Sequence, residues 1–255
     1  MLLIKTPEEW QQRRETFGDK TIGFVPTMGT LHAGHLSLLQ RSVAENDLTV
    51  ISCFLNPEQF NNAADLEKYP RALAEDFVMA EEAGVDYFFA PEYEDLYPDA
   101  YRYQVSEKRD SLVLEGEHRP GHFEGVLTVV LKLLLLMKAD RAYFGEKDYQ
   151  QLQLVKGMVE AFFIRTDIIG CPIVRNDFGL PLSSRNHLLN ADQLELSRQF
   201  PACFHTKESC NQIAKKLEQA GFNVEYVKEQ QGRRFASVFL GDVRLIDNVD
   251  LKSDA

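Results

Sequence analysis

Apolar residues fall in short runs separated by longer segments with helical spacing, and this alternation sets the expected fold. Thr6-Pro7-Glu8-Glu9 has the spacing of a helix N-terminus with proline in the first turn, which predicts a helix ending near Gly18. Residues 21–25 form a β-prone run, helical spacing follows over about 33–46, and 48–55 is a second apolar run of strand length. The alternation continues with a helix over 71–84, a strand at 87–89, a buried helix after Gly121, a strand at 142–144, a helix from Tyr149 and a strand near 168–174. Apolar strands separated by helices predict an α/β fold with a parallel sheet covered on both faces. Past about Arg175 a polar helical region over 191–221 precedes two strand-like runs, 223–227 and 236–240. The expected division is therefore a first domain over 1–175 and a small α+β domain over 176–255.

The chain has 255 residues, with 28 Lys and Arg against 39 Asp and Glu, for a net charge of −11. That balance argues against nucleic acid as the main partner, because backbone binding draws on clustered basic charge. Hydrophobic residues at 44% and charged residues at 26% are ordinary for a globular protein and exclude a disordered or fibrous chain. The four cysteines include no CxxC pair, which fits a reduced, cytoplasmic setting. The N-terminal stretch lacks the apolar core of a secretion signal, so no export is expected. The most apolar segment, 126–137, contains Lys132 and is too short to cross a bilayer.

Candidate chemistry falls just after the predicted strands. Pro26-Thr27-Met28-Gly29-Thr30-Leu31-His32-Ala33-Gly34-His35 spans the end of a core strand and the start of a helix. The carboxyl end of a parallel strand is where α/β sheets take ligands, and a helix N-terminus presents free N–H groups to an anion. His32 and His35 share a face of that first turn and can donate to phosphate, while Gly34 removes a side chain that would hold a flat base away. The plainer alternatives are a capped helix with two surface histidines, or a metal site, which lacks a third nearby ligand. In Gly145-Glu146-Lys147-Asp148-Tyr149-Gln150-Gln151, Gly145 allows close backbone approach, Lys147 can neutralise phosphate charge in a transition state, and Asp148 can accept from ribose hydroxyls. The same string also suits a solvated turn. Asn56-Pro57-Glu58-Gln59-Phe60 offers neutral amides that orient a carboxylate and hydroxyls without fixed charge. Leu182-Ser183-Ser184-Arg185-Asn186 combines two hydroxyls with a guanidinium fork for phosphate, although a serine pair equally caps a helix.

The HxGH element resembles the nucleotide-binding signature of the class I synthetase and nucleotidyltransferase superfamily. In order, PTMGTLHAGH, NPEQF, EGEHRPGHFEGV, FGEKDYQQ and LSSRN closely resemble the pantoate–β-alanine ligase family over residues 1 to about 190, and GDVRLIDN at 241–248 is similar to its closing strand. The resemblance implies a Rossmann-like parallel sheet with helices on both faces and a C-terminal α+β lid. It implies ATP-dependent ligation of pantoate and β-alanine through a pantoyl-adenylate, with release of pyrophosphate and AMP and a requirement for Mg²⁺. A cytoplasmic homodimer acting on small molecules, with no nucleic-acid or membrane partner, is expected on the same ground.

By the same resemblance, Met28, Gly29, Thr30, Leu31, His32, Ala33, Gly34 and His35 bind ATP. His32, His35 and Lys147 are the catalytic set, with His35 in the position usually given a proton-donor role. Gly145, Glu146, Lys147 and Asp148 form a second ATP loop, Val174 meets adenine through its backbone, and Leu182, Ser183, Ser184 and Arg185 close over the phosphates. Gln59 and Gln151 hold pantoate with Asn56 and Thr27 beside them, and Asp76 either helps to place Mg²⁺ or lies on a solvated helix face. Arg119 and His122 fall in the matched set, where they either contact substrate or support the residues that do. Glu124 stands where a basic residue is expected, Pro181 replaces a small residue, and the stretch after residue 200 is shorter than usual and matches poorly until Gly241. Two further readings are another HxGH nucleotidyltransferase, against which NPEQF with GEKDYQQ speaks, and a non-catalytic nucleotide-binding protein. Retention of His35, Lys147, Gln59 and Gln151 speaks against the second.

Overall fold

Five of the apolar runs pair, together with Leu2–Ile4, into one parallel sheet. In a computed structural model that describes residues 1–252, its strands are β1 (Leu2–Ile4), β2 (Ile22–Thr27), β3 (Leu48–Cys53), β4 (Tyr87–Phe89), β5 (Arg141–Gly145) and β6 (Asp167–Cys171), in the spatial order β1-β4-β3-β2-β5-β6. Every pairing is parallel. Alternation along each strand divides the core between two faces. Phe24, Val50, Phe89 and Phe144 enter one cluster with Trp10, Val126 and Leu127, whereas Val25, Ile51, Phe88 and Tyr143 enter the other with Leu38, Leu39 and Ala80.

The helices on these faces form where the sequence caps them. Thr6 Oγ1 accepts from the Glu9 N–H at the start of α1 (Pro7–Arg14), while the Glu9 carboxylate reaches back to the Lys5 N–H. Helix α2 (Ala33–Glu45) lies so close to β2 that a Cβ on Gly23 would come within 2.1 Å of Ser42 Oγ. Short helices α3 (Ala63–Lys68), α4 (Leu73–Glu82), α5 (Tyr93–Leu96) and α6 (Glu115–His118) connect the middle strands. Helix α7 (His122–Met137) is buried almost throughout, and its Lys132 gives its charge to the Leu96 carbonyl and Asp99. Helix α8 (Tyr149–Ala161) follows β5.

These elements make one compact unit, Met1–Pro172; the second, Ile173–Ala255, has its own core. The region expected to be one long helical stretch breaks into α9 (Ala191–Ser197), α10 (Gln199–Phe204) and α11 (Cys210–Gln219). The break after α10 is capped afresh by Ser209, whose side chain meets the Gln212 side chain at the start of α11. An antiparallel sheet, β7 (Asn223–Gln230), β8 (Arg233–Leu240) and β9 (Val243–Asp250), completes this unit, with Phe200, Phe204, Ile213, Leu217 and Val238 in its core. Strand β1, where no strand was expected, is a three-residue edge whose pairing partner is 85 residues away. Among the described residues no helix is long and apolar enough to cross a membrane.

Candidate functional site

Strand order reverses at β2: the chain adds β3 on one side of it and returns to place β5 on the other. The carboxyl ends of β2 and β5 therefore flank a switch point, the usual ligand crevice of an open parallel sheet. The segments leaving these two strands are Thr27–His35 and Gly145–Gln151.

The first segment is built by a buried carboxylate. Thr27 Oγ1 donates to the Ser52 carbonyl at 2.8 Å and accepts from the Gly29 N–H at 3.2 Å. Gly29 and Thr30 both turn through positive φ, at 84° and 55°. Asp76 of α4 holds this turn, with Oδ2 accepting from the Thr30 N–H at 2.7 Å and Oδ1 from the Leu31 N–H at 2.6 Å. A Cβ on Gly29 would lie 2.9 Å from Asp76 Oδ2, so both backbone conformation and space favour glycine there. Asp76 accepts a main-chain amide on each oxygen, which makes it the clamp of the turn. Leu31 buries its side chain in the core and gives its N–H to Asp76.

His32 caps α2, its Nδ1 accepting from the Gly34 N–H at 3.1 Å, which places the proton of the neutral ring on Nε2. The His35 ring lies 4.1 Å from it, centroid to centroid. His35 Nδ1 is sealed from solvent with no hydrogen-bond partner among the described residues. Burial, then the charges of His32 and Lys147, push the His35 imidazolium down to a pKa of about 3, so this ring is neutral at physiological pH. Lys147 lies on the tight turn Glu146–Asp148, its ammonium 3.6 Å from the Asp148 carboxylate, and its effect on His35 marks the two segments as neighbours.

The third strand end carries the amides. Asn56 is 1% exposed and donates from Nδ2 to Gln59 Oε1 at 3.1 Å and to the Gly125 carbonyl at 3.2 Å. His122, at the start of α7, bonds the Gln59 carbonyl through Nδ1 at 2.8 Å, and its Nε2 faces Arg119 Nη1 at 3.2 Å. Because a carbonyl only accepts, Nδ1 carries the proton and Nε2 accepts from the guanidinium. Burial, then the Arg119 charge, lower this histidine to a pKa of about 4. Arg119 and His122 thus support Gln59 from behind. Of the paired glutamines, Gln150 spends its amide on Glu115, Asp110 and Val113 of the main chain, while half-buried Gln151 makes no hydrogen bond among the described residues. Glu124 is exposed on the first turn of α7, where a carboxylate suits the helix dipole.

In the second unit, Arg175 and Pro181 pair across a short turn, and Arg175 grips the buried Asp247 carboxylate through two bonds of 2.7 and 2.8 Å. The Leu182 N–H donates to the Val174 carbonyl, which ties the expected adenine contact to the expected closing loop. Ser183 accepts from the Arg185 N–H and so caps the turn Ser184–Leu188, and Ser184 is buried. Back in the first unit, Tyr97, whose hydroxyl reaches Asn56 Oδ1 at 2.9 Å, was not among the sequence candidates. Leu96-Tyr97-Pro98 carries no spacing or charge pattern that would single it out.

The profile of the family described as Pantoate-beta-alanine ligase matches residues 2–250. A pantothenate synthetase of Coxiella burnetii (strain Dugway 5J108-111) is 57% identical, covering 99% of this chain and 98% of the relative. One of Legionella pneumophila (strain Corby) is 50% identical over 97% and 99%. A crystal structure of pantoate-beta-alanine ligase from Francisella tularensis, complexed with beta-gamma ATP and beta-alanine, superposes with a TM-score of 0.96 at 39% identity, covering 99% of this chain and 98% of that one. The pantothenate synthetase of Thermus thermophilus gives 0.89 at 36%, over 98% and 99%. These matches run through the region after residue 200 that the motifs leave undetermined.

Proposed function

This chain belongs to the pantoate-beta-alanine ligase family, and from that premise we propose how it works. It is an ATP-dependent ligase that joins pantoate to β-alanine. A carboxylate and an amine at neutral pH form a salt, so the carboxylate needs a better leaving group. In the proposed first step a pantoate carboxylate oxygen attacks the α-phosphorus of ATP; the new O–P bond forms as the bond to pyrophosphate breaks. In the second, the uncharged amine of β-alanine attacks the acyl carbon, the C–O bond to AMP breaks and the amine sheds a proton.

Neither step needs a covalent enzyme intermediate, so positioning and charge stabilisation carry the rate. The observation that supports this reading is the meeting of two segments at the β2/β5 switch point, one bringing His32 and the neutral His35 and the other Lys147. Lys147 supplies positive charge to the departing pyrophosphate. His32 and His35 donate to phosphate oxygens, and His35, held neutral by burial, does not enter as an imidazolium acid. Gly145 and Glu146 shape the second ATP loop, and Asp148, at the end of that turn, meets the ribose. Gln59 and Gln151 hold pantoate.

Among the described residues, no group of three or more His, Cys, Asp or Glu side chains could hold a metal ion. Mg²⁺ is accordingly assigned to the substrate, entering on the phosphates of ATP. A cytoplasmic homodimer completes the proposal on the family resemblance, and light scattering of the purified chain tests the dimer.

The decisive experiment is AMP release with ATP and Mg²⁺, supplying pantoate and β-alanine together and then omitting each. Release that needs both, with pantoate alone supporting exchange of labelled pyrophosphate into ATP, is the expected result. Turnover without pantoate, or exchange that requires β-alanine, refutes the adenylate route.

A further inference from the structure

Which atom of the Gln59 amide meets the substrate decides what that amide recognises, and the Gly125 carbonyl fixes the answer. A main-chain carbonyl only accepts, so the Asn56 atom 3.2 Å from it is Nδ2. The second hydrogen of that amide goes to Gln59 Oε1 at 3.1 Å, and Asn56 Oδ1 is left facing the Tyr97 hydroxyl at 2.9 Å, which must donate. With Oε1 occupied, Gln59 has Nε2 to offer.

The chain of bonds is held rigidly at both ends. Tyr97 is 2% exposed, its ring packed between Tyr93 and Tyr101 at 4.9 and 5.3 Å, with the Lys132 ammonium 4.9 Å from its centroid. At the other end, α7 meets the Asn56–Gln59 segment so closely that a Cβ on Gly125 would come within 2.3 Å of the Glu58 carbonyl oxygen.

We propose that Tyr97 is a positioning residue for the ligation: by donating to Asn56 it fixes the Gln59 amide with its oxygen turned inward and its NH₂ toward pantoate, selecting an oxygen acceptor there. The inference rests on the reading that Gln59 holds pantoate. Without the hydroxyl, Asn56 Oδ1 is a buried acceptor with no donor, and the amide pair keeps only the Gly125 carbonyl of the two contacts that fix its orientation. Gln59 then presents its carbonyl to the substrate for part of the time, against the lone pairs of pantoate's own oxygens.

The test compares Tyr97→Phe, Gln59→Ala and the double variant by steady-state kinetics, with thermal melts alongside. Tyr97→Phe keeps the packed ring and should raise the KM for pantoate about tenfold, leaving those for ATP and β-alanine unchanged. In the Gln59→Ala background the same change should have no further effect, since its route of action is gone. Asn56→Asp, which sets an acceptor against the Gly125 and Gln59 oxygens, should give the same pantoate-confined defect, and it carries the test if Tyr97→Phe does not fold. An unchanged pantoate KM in Tyr97→Phe alongside a raised one in Gln59→Ala overturns the positioning role, as do penalties that multiply in the double variant. A normal pantoate KM in Gln59→Ala instead removes the underlying assignment, and the inference with it.

Discussion

His122 is 7% exposed, wedged between the Arg119 guanidinium and the Gln59 carbonyl, and its pKa lies at about 4 against an ordinary 6.5. Burial is the main cause and the Arg119 charge adds to it, while the bond to Gln59 and the charges of Glu115 and Asp148 oppose it. Between these two values the unfolded chain binds a proton that the folded chain refuses. Stability is therefore fully present above pH 6.5 and falls as pH drops toward 4. From pH 7.5 to pH 5 this one group costs roughly 2 kcal/mol, or about 4–8 °C of melting temperature in a chain of this size. His122→Asn keeps a donor near the position of Nδ1 but cannot be protonated. Melts of both proteins across about pH 5 to 7.5 should show the variant losing less stability than the wild type by that amount, whatever its stability at the upper end. Parallel curves would refute the claim that a buried neutral imidazole supports Gln59.

Asp76→Asn leaves one oxygen for two main-chain donors and should cost about 2 kcal/mol and raise the KM for ATP, with the Mg²⁺ dependence unmoved; a shifted Mg²⁺ requirement would restore Asp76 as a metal ligand. His35, with its pKa of about 3, should show no imidazole titration across the neutral range in nitrogen-15 NMR of the free protein, whereas a midpoint near the ordinary 6.5 contradicts its burial. His35→Ala should slow pantoate-dependent pyrophosphate exchange, and a wild-type rate would remove it from the catalytic set. Asp247→Ala strands the Arg175 guanidinium and breaks the 2.9 Å contact to His205, at a cost of about 3 kcal/mol, low in the range because Arg175 retains partial access to water. Differential scanning calorimetry checks it.

Most of the fold was legible because its signals are local. Thr6, Pro7 and the run of apolar residues after Gly121 announce their helices within a few positions, and the strands of the parallel sheet read as continuous apolar runs because both faces are buried. Strand β1 escaped notice: three residues carry no periodicity, and what makes them a strand is Tyr87–Phe89, far along the chain. The helical stretch after Asn190 reads as one element because its polar composition persists across the breaks, whereas the break itself depends on the Ser209–Gln212 cap and on Phe200 and Phe204 turning into the second core.

The site divides along the same line. Motif and position identify side chains that offer one kind of atom: an ammonium such as Lys147 has only donors, and any contact it makes has a known sign. Amides, imidazoles and carboxylates can face either way or be consumed by the backbone, and their partners come from distant segments. The sequence neighbours of Asp76 say nothing of the Thr30 and Leu31 amides that its two oxygens accept. His122 and Gln59 are 63 residues apart, and the proton between them is assigned by a main-chain carbonyl. The Gly125 carbonyl does the same for Asn56, reaching it only because residue 125 has no side chain to strike the Glu58 backbone. What the motif strings specify is therefore the set of groups at the site, while the tertiary backbone decides which face of each ambidextrous group the substrate meets. If Gln59 holds pantoate as proposed, selectivity for pantoate's oxygens is a property of that second layer, and Gly125→Ala should damage it without touching a single substrate-facing residue. The strained approach should cost about 3 kcal/mol of stability, and the pantoate KM should rise while that for ATP stays put. Equal losses for both substrates would mean that the backbone sets the shape of the crevice but not its polarity.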